Sequence, residues 1–287
     1  MFTFIGMGVV IVAIAAGYAM EHGNFHVLFQ PAEVVIIGGA AMGSLLIASP
    51  GGVAKIVFGG FGKVFAESGI NKASYVELLL LLNDIFVKIK KEGLVTVEKD
   101  VERPEQSPLF KKYPAILSDS EAIAFITDNI RVMISSNLPP YQLEELMDID
   151  MEASGHERLL APQSITRVAD SLPGLGIVAA VLGVVLTMGK IKEPPEVLGH
   201  SIGAALVGTF LGILACYGFL GPMATNLEHK AHARQTYLSV IKTALVTYGA
   251  DYVPHLAVEA GRRAIPGHDR PSFQEMEALL RKAKGKG

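Results

Sequence analysis

This chain of 287 residues is poor in the group that proteins use for covalent staples. Its one cysteine, Cys216, lies in the middle of an apolar run. No disulfide can close within the chain, and Cys216 reads as a small packing residue. Charged residues are only 18% and the net charge is −3, which gives no sign of a nucleic-acid partner. Glu21-His22 with His26, and Glu228-His229 with His232, are spaced as a metal would use. Neither pair has the further ligands of a closed site, so they read as surface histidines, and no metal or other cofactor is expected. No nucleophile stands paired with a base, so the chain is not expected to be an enzyme. Gly174-Leu175-Gly176-Ile177-Val178-Ala179 matches a relaxed dinucleotide fingerprint, but no strand precedes it and no ribose-binding acid follows. No stretch alternates with a period of two, which leaves an all-α fold.

What is present is apolar. Mean hydropathy is +0.39 and half of the residues are hydrophobic. Leu172 to Gly189 and Ser201 to Gly221 contain no Asp, Glu, His, Lys or Arg. At about 1.5 Å per residue each reaches roughly 27–32 Å, enough to cross a hydrocarbon core of about 30 Å. Small residues recur at spacings of four: Gly176/Ala180 and Ala179/Gly183 in the first run, Ala204/Gly208/Gly212 in the second. That spacing lets helix backbones approach closely in lipid. Phe2 to Met20 is a further uncharged run. Ala13-Ile14-Ala15 mimics a signal cleavage site, but no Lys or Arg precedes it, so it reads as a retained span. Val34 to Ser49, closed by Pro50-Gly51-Gly52, completes a set of four spans at about 2–20, 34–50, 171–189 and 201–222.

Of the 25 Lys and Arg, only Lys190 and Lys192 lie between spans three and four, and the loop Glu21 to Glu33 has none. The positive-inside rule then puts the N-terminus and both large polar segments in the cytoplasm. The expected organisation is a pair of spans (1–50), a large cytoplasmic helical insert (51–169), a second pair of spans (170–222) and a cytoplasmic helical tail (223–287). Within the insert, Asn71 to Glu92 predicts a helix stopped by Gly93. Ser118-Asp119-Ser120-Glu121 has capping-box spacing and opens a helix to about Asn137, ended by Pro139-Pro140. Tyr141 to Leu160 is acidic and helical, and Ser272 to Ala283 is a short terminal helix. Residues 87–106 carry dense charge of both signs, which suits either a solvated loop or a face that registers a partner.

No Asp, Glu or His falls within these four spans, although a chain that moved ions alone would be expected to carry one. Ser201, Ala205, Thr209, Gly212 and Cys216 line one helix face, at spacings of four, four, three and four, and could wall an ion path. The titrating group would then come from another chain. Pro173 opens the third span and Pro222 closes the fourth, which puts them at matching depths in an antiparallel hairpin. Pro222 lies inside a helical pattern and predicts a kink, while two ordinary helix-end prolines remain the plainer reading.

QPAEVVIIGGAAMGS (30–44), the stretch from Lys90 to Asp100, DSLPGLGIVAAVLGVV (170–185), VGTFLGILACYGF (207–219) with Pro222, and RPSFQEME (270–277) follow one another across the chain. With four spans around a large insert, these motifs resemble the MotA family, the larger subunit of bacterial flagellar stators. The related ExbB and TolQ energisers have three spans. The resemblance implies a bacterial inner-membrane protein that forms a homopentameric ring around two copies of a MotB-type, peptidoglycan-binding, single-span subunit. The partner supplies an intramembrane aspartate, and ion flow drives the ring against the rotor protein FliG. It implies that Pro173 and Pro222 couple ion movement to helix movement, and that Lys90 and Glu98 face the rotor. Lys90 stands where the family commonly has Arg, which keeps the charge and loses the bidentate geometry. Sodium-type relatives carry a threonine at the position of Ala180, so Thr209 is left as the hydroxyl on the path and a proton is expected as the ion. The alternative is an ExbB/TolQ-like energiser or membrane scaffold serving a non-flagellar partner.

Overall fold

A computed structural model of the chain describes residues 2–66, 69–136 and 138–284, and every regular element among them is helical. Phe2–Met20 forms α1, apolar on all sides, with none of its residues buried within the chain. A helix of that kind needs lipid or another protein around it. Asn24 caps one short turn, α2 (Phe25–Leu28), by accepting from the His26 N–H. Pro31 then opens α3 (Pro31–Ala48), where a missing N–H costs nothing. The chain bends at Pro50 into α4 (Gly51–Phe65). The exposed carbonyls at the end of α4 are met by the Lys230 ammonium, which donates to the oxygens of Lys63 and Val64 at 2.8 Å and of Ala66 at 2.5 Å.

The next elements are α5 (Lys72–Glu92), α6 (Glu98–Glu102), α7 (Pro114–Leu117) and α8 (Ser120–Ser135). Then come α9 (Pro140–Met188) and α10 (Pro195–Ile213), a π-helical segment (Leu214–Leu220), α11 (Gly221–Gly249), α12 (Pro254–Ala264) and α13 (Phe273–Lys284). Four stretches are long and apolar enough to cross a membrane: Phe2–Met20, Phe25–Ala48, and the apolar parts of Pro140–Met188 and Pro195–Gly249. Two expectations change here. The acidic helix after Tyr141 and the third span form one 49-residue helix, so Pro173 stands in a helix interior and not at a helix start. Pro140 opens that helix where the sequence pattern had it ending the previous one, and Asn137, the expected end of that previous helix, lies outside the described residues.

The chain divides into two compact units, one of residues 1–67 and 156–230, the other of residues 68–155 and 231–287. These cuts follow packing, whereas divisions at 50, 169 and 222 follow the ends of apolar runs. The second unit is built on α5. Its run Leu78 to Leu82 is apolar on every side, and Leu78, Leu79, Leu81 and Leu82 are fully buried among α8, α11 and α12 side chains such as Ile126, Ile241 and Val258. Asn71 caps α5 by accepting from the N–H groups of Ala73 and Ser74, and Gly93, at φ 92°, ends it in a conformation that favours glycine. Asp119, not Ser118, is the cap of α8, and accepts from the Ala122 N–H. Arg234 grips the Asp119 carboxylate with both Nη atoms and reaches Glu121 through Nε at 2.8 Å.

In α12, Glu259 accepts from Arg262 at 2.7 and 2.8 Å and from Arg263 at 2.8 Å. The Arg262 hydrogen bonds pull its carboxyl down to about 2; burial opposes them and Arg263 adds to them. The carboxyl is thus depressed in the folded chain, and its stabilising effect is complete above about 4.5 and fades as pH falls towards about 2. E259Q should lower the melting temperature of the detergent-solubilised protein at neutral pH. The gap to wild type should close through that acid window, and a gap unchanged at its acid end would contradict this reading.

Candidate functional site

The first unit holds the apolar hairpin of α9 and α10, and its geometry is set by what lacks a side chain. A methyl built on Gly212 would meet the Leu172 carbonyl oxygen at 2.5 Å. One on Gly176 would meet the Gly208 carbonyl oxygen at 2.8 Å and the Thr209 Cα at 3.2 Å, and one on Gly183 the Ala205 Cβ at 2.7 Å. The two backbones therefore touch along Gly176, Ala179 and Gly183 on α9 and Ala205, Gly208 and Gly212 on α10. Ala180 and Ala204 are half-buried and stand beside this contact line.

This register moves two expectations. Ala205, Gly212 and Cys216 belong to the α10 face read as the wall of an ion path, and all three are buried within this chain. Ala205 and Gly212 pack on α9, and Cys216 joins Ile37, Ala41, Leu172 and Ala179. Thr209 is half-buried next to Gly176, and Ser201 is also half-buried. Because Gly212 is level with Leu172, Pro222 lies ten residues beyond the level of Pro173, roughly 15 Å along the helix. The two prolines are not at matching depths.

Pro222 follows the π-helical segment Leu214–Leu220, in which the Gly221 N–H donates to the Cys216 carbonyl five residues back. A proline removes one helical hydrogen bond, and a π turn beside it redistributes the remaining ones. Pro222 is exposed and Pro173 half-buried.

Glu33 is the residue that sequence reasoning misplaced. The sequence pattern puts it in the first loop and leaves the spans free of acids. Because Pro31 starts α3 three residues ahead of the apolar run, Glu33 falls in the first helical turn, 8% exposed. A methyl on Gly208 would sit 2.5 Å from its Oε2, and one on Gly183 would sit 3.8 Å from its Oε1. Its Oε2 has no hydrogen-bond partner. The signal that could have found it is the proline at N1 two residues ahead.

In the second unit the charged stretch divides in two. Lys88 pairs with Asp100 at 2.6 Å, Asp100 is buried, and Ser107 Oγ donates to its other oxygen at 2.6 Å. These residues pin α6 to α5. Lys90, in the last turn of α5, and Glu98, the first residue of α6, are exposed, and among the described residues neither has an ion-pair partner. Lys90 borders a groove that also includes Leu94, Leu138, Pro140, Asp251 and Tyr252.

Two family models match this chain: Motility protein A N-terminal over residues 4–93, and the MotA/TolQ/ExbB proton channel family over residues 118–239. Motility protein A of Escherichia coli (strain K12) is 39% identical over 284 residues, covering 99% of this chain and 96% of the relative. The chain belongs to the Motility protein A family. Chemotaxis protein LafT of Vibrio parahaemolyticus is 36% identical over 282 residues, with 98% of this chain and 99% of that protein covered. Among solved structures, the flagellar MotAB stator complex from Bacillus subtilis has a chain that matches with a TM-score of 0.78 at 22% identity, covering 93% of this chain and 97% of that one. A chain of C. jejuni MotAB matches with a TM-score of 0.78 at 18% identity, with 94% and 98% covered. The family is one of membrane proton channels, not of enzymes.

The backbone contact gives a direct test. Gly212→Ala should cost about 1–3 kcal/mol, because a backbone carbonyl cannot yield as a side chain does. Gly199→Ala, on open surface of α10, meets nothing within 4 Å and should be neutral or stabilising. Thermal melting in detergent compares them, and equal behaviour of the two variants would refute the register.

Proposed function

We propose that this chain is the MotA-type subunit of a proton-driven flagellar stator, working with a MotB-type, peptidoglycan-binding, single-span partner. The observation that carries this reading is the likeness to Motility protein A along 99% of the chain, termini and insert included. An energiser or scaffold of the ExbB/TolQ kind would share the channel portion without the N-terminal match over residues 4–93. In this reading the chain crosses the bacterial inner membrane four times, with both termini and the segment 51–169 in the cytoplasm. Five copies surround the partner helices, whose aspartate carries the proton past Thr209 and Ala180.

The physical scheme is a small bias on a bistable element. Each proton that enters the cell releases about 2.3 kcal/mol per 100 mV of membrane potential. That suffices to shift helices whose two arrangements differ by a few kcal/mol, and not to break a packed core. The π turn before Pro222 and the interior proline Pro173 are two places in the hairpin where the hydrogen-bond ladder is already interrupted. Lys90 and Glu98 present exposed charge to the rotor protein FliG, and Lys90 borders a groove with both apolar and polar side chains.

Complementation of a non-motile strain that lacks its own stator subunit is the test of the whole reading: the chain with its partner should restore swimming. Swimming should stop with a protonophore and be indifferent to replacing sodium with potassium, and swimming that scales with external sodium would refute the ion assignment. Pro222→Ala should leave the protein in the membrane and abolish motility.

Charge reversal at Lys90 or Glu98 should impair swimming without lowering protein level, since exposed charges contribute little to folding. By the same logic, reversal at Lys88 or Asp100 should reduce the amount of folded protein, because it leaves a buried charge without its partner. Equal loss of protein from both pairs would end the docking assignment.

A further inference from the structure

We propose that Glu33 is a proton-binding site inside the membrane, loaded from the side of the first loop; this rests on the reading of the chain as part of a proton channel. The seam formed by α3, α9 and α10 is made of residues too small to fill it: Gly183, Ala179, Ala205 and Gly208. Into that space the chain directs one carboxylate, more than nine-tenths buried. Gly208 is what makes the fit possible, since any side chain there would displace Oε2. No donor among the described residues reaches that oxygen.

A carboxylate is an acceptor only, whereas the acid can also donate its O–H. In the seam nothing supplies the hydrogen bond that an anion requires, and a proton can supply it. Among the described residues no ion-pair partner compensates the anion either. The apolar stretch of α9 that forms the seam carries no Asp, Glu, His, Lys or Arg between Asp170 and Lys190. On α10, which packs against α3, Glu196 and His200 are the ionisable groups, and both are exposed. On α2, which packs against α10, the ionisable group is His26, also exposed. Lys55 and Lys63 of α4 are exposed as well. The Cys216 thiol clusters with Ile37 and Ala41, one and two turns farther along α3. An ionisable side chain placed within the membrane without a partner is costly, and such residues mark ion pathways.

The step balances with water alone. A hydronium ion from the first-loop side gives its proton to Glu33 Oε2, forming an O–H bond and leaving water. On release that O–H bond breaks and the proton passes to a water on the path. Loading and unloading also change what Gly183 and Gly208 face, so occupancy at Glu33 acts on the hairpin that carries Thr209. Glu33 tunes proton entry in this scheme; the transfer into the cell remains the task of the partner's aspartate.

The test compares wild type, Glu33→Gln and Glu33→Asp, each with the partner subunit, in the complementation strain and in purified complexes. Swimming speed is followed against external pH from about 5 to 8. Glu33→Gln should swim with a pH profile that is flattened or displaced by about one unit or more, a tenfold change in proton concentration. Glu33→Asp should retain the wild-type form. Difference infrared spectra of purified complexes on acidification should show a buried carboxylic-acid band that Glu33→Gln lacks, a readout that does not depend on motility. Superimposable pH profiles, or infrared spectra that are identical in wild type and Glu33→Gln, would overturn the proposal. A wild-type chain that restores no swimming would instead count against the stator reading itself.

Discussion

The contact on which the membrane part of this protein depends is backbone against backbone. Where α9 meets α10, the Leu172 carbonyl faces the Cα of Gly212, and the Gly208 carbonyl faces Gly176. Lipid tails are as apolar as leucine, so burial alone gives two such helices little reason to associate, and close packing has to hold them. Other features follow from it. Large apolar side chains such as Val181, Val185 and Leu206 are turned outwards and exposed in the single chain, available to lipid or to further subunits. The space that these small residues leave also lets a glutamate lie between three apolar helices.

Against that close fit stand interruptions of the hydrogen-bond ladder at Pro173 and Pro222, with a further interior proline, Pro162, earlier in α9. Pro173 lies within the 49-residue helix α9, and Pro222 follows a π-helical segment at the start of α11. In water an interior proline costs about 3 kcal/mol or more and breaks the helix. Here the π turn takes up the mismatch, with the Gly221 N–H reaching back five residues to Cys216. An arrangement of tight contact on one side of a hairpin and loosened backbone along it suits an element that moves as a unit.

The second unit shows how one charged stretch can serve two purposes. Asp100, buried between Lys88 and Ser107, holds a short helix against the apolar α5 core, while Lys90 and Glu98 on the same stretch are exposed and have no ion-pair partner among the described residues. The difference is one of phase along α5. Lys88 points towards α6, and Lys90, two residues on, points away, as residues two apart on a helix do not share a face.

From the residues alone, the helical class, the four apolar stretches and the family resemblance were legible, because hydropathy, cap residues and motif order are local properties of a chain. The start of α5 at Asn71 and its stop at Gly93 were readable for the same reason. The depth of Pro222 relative to Pro173 was not readable, because it depends on the register of two helices, and register is set by which glycine meets which carbonyl. Nor could the sequence separate Lys88 from Lys90, since the distinction lies in what α6 packs against. Glu33 is the clearest case: it stands at the end of a polar loop in the sequence, and only the proline-initiated turn of α3, together with the gap at Gly208 on another helix, places its carboxylate inside the protein. What the sequence determined by itself was which segments are helical and apolar; tertiary packing decided which of their few polar atoms lie out of reach of water, because burial is a property of neighbours that the chain supplies from far away in sequence.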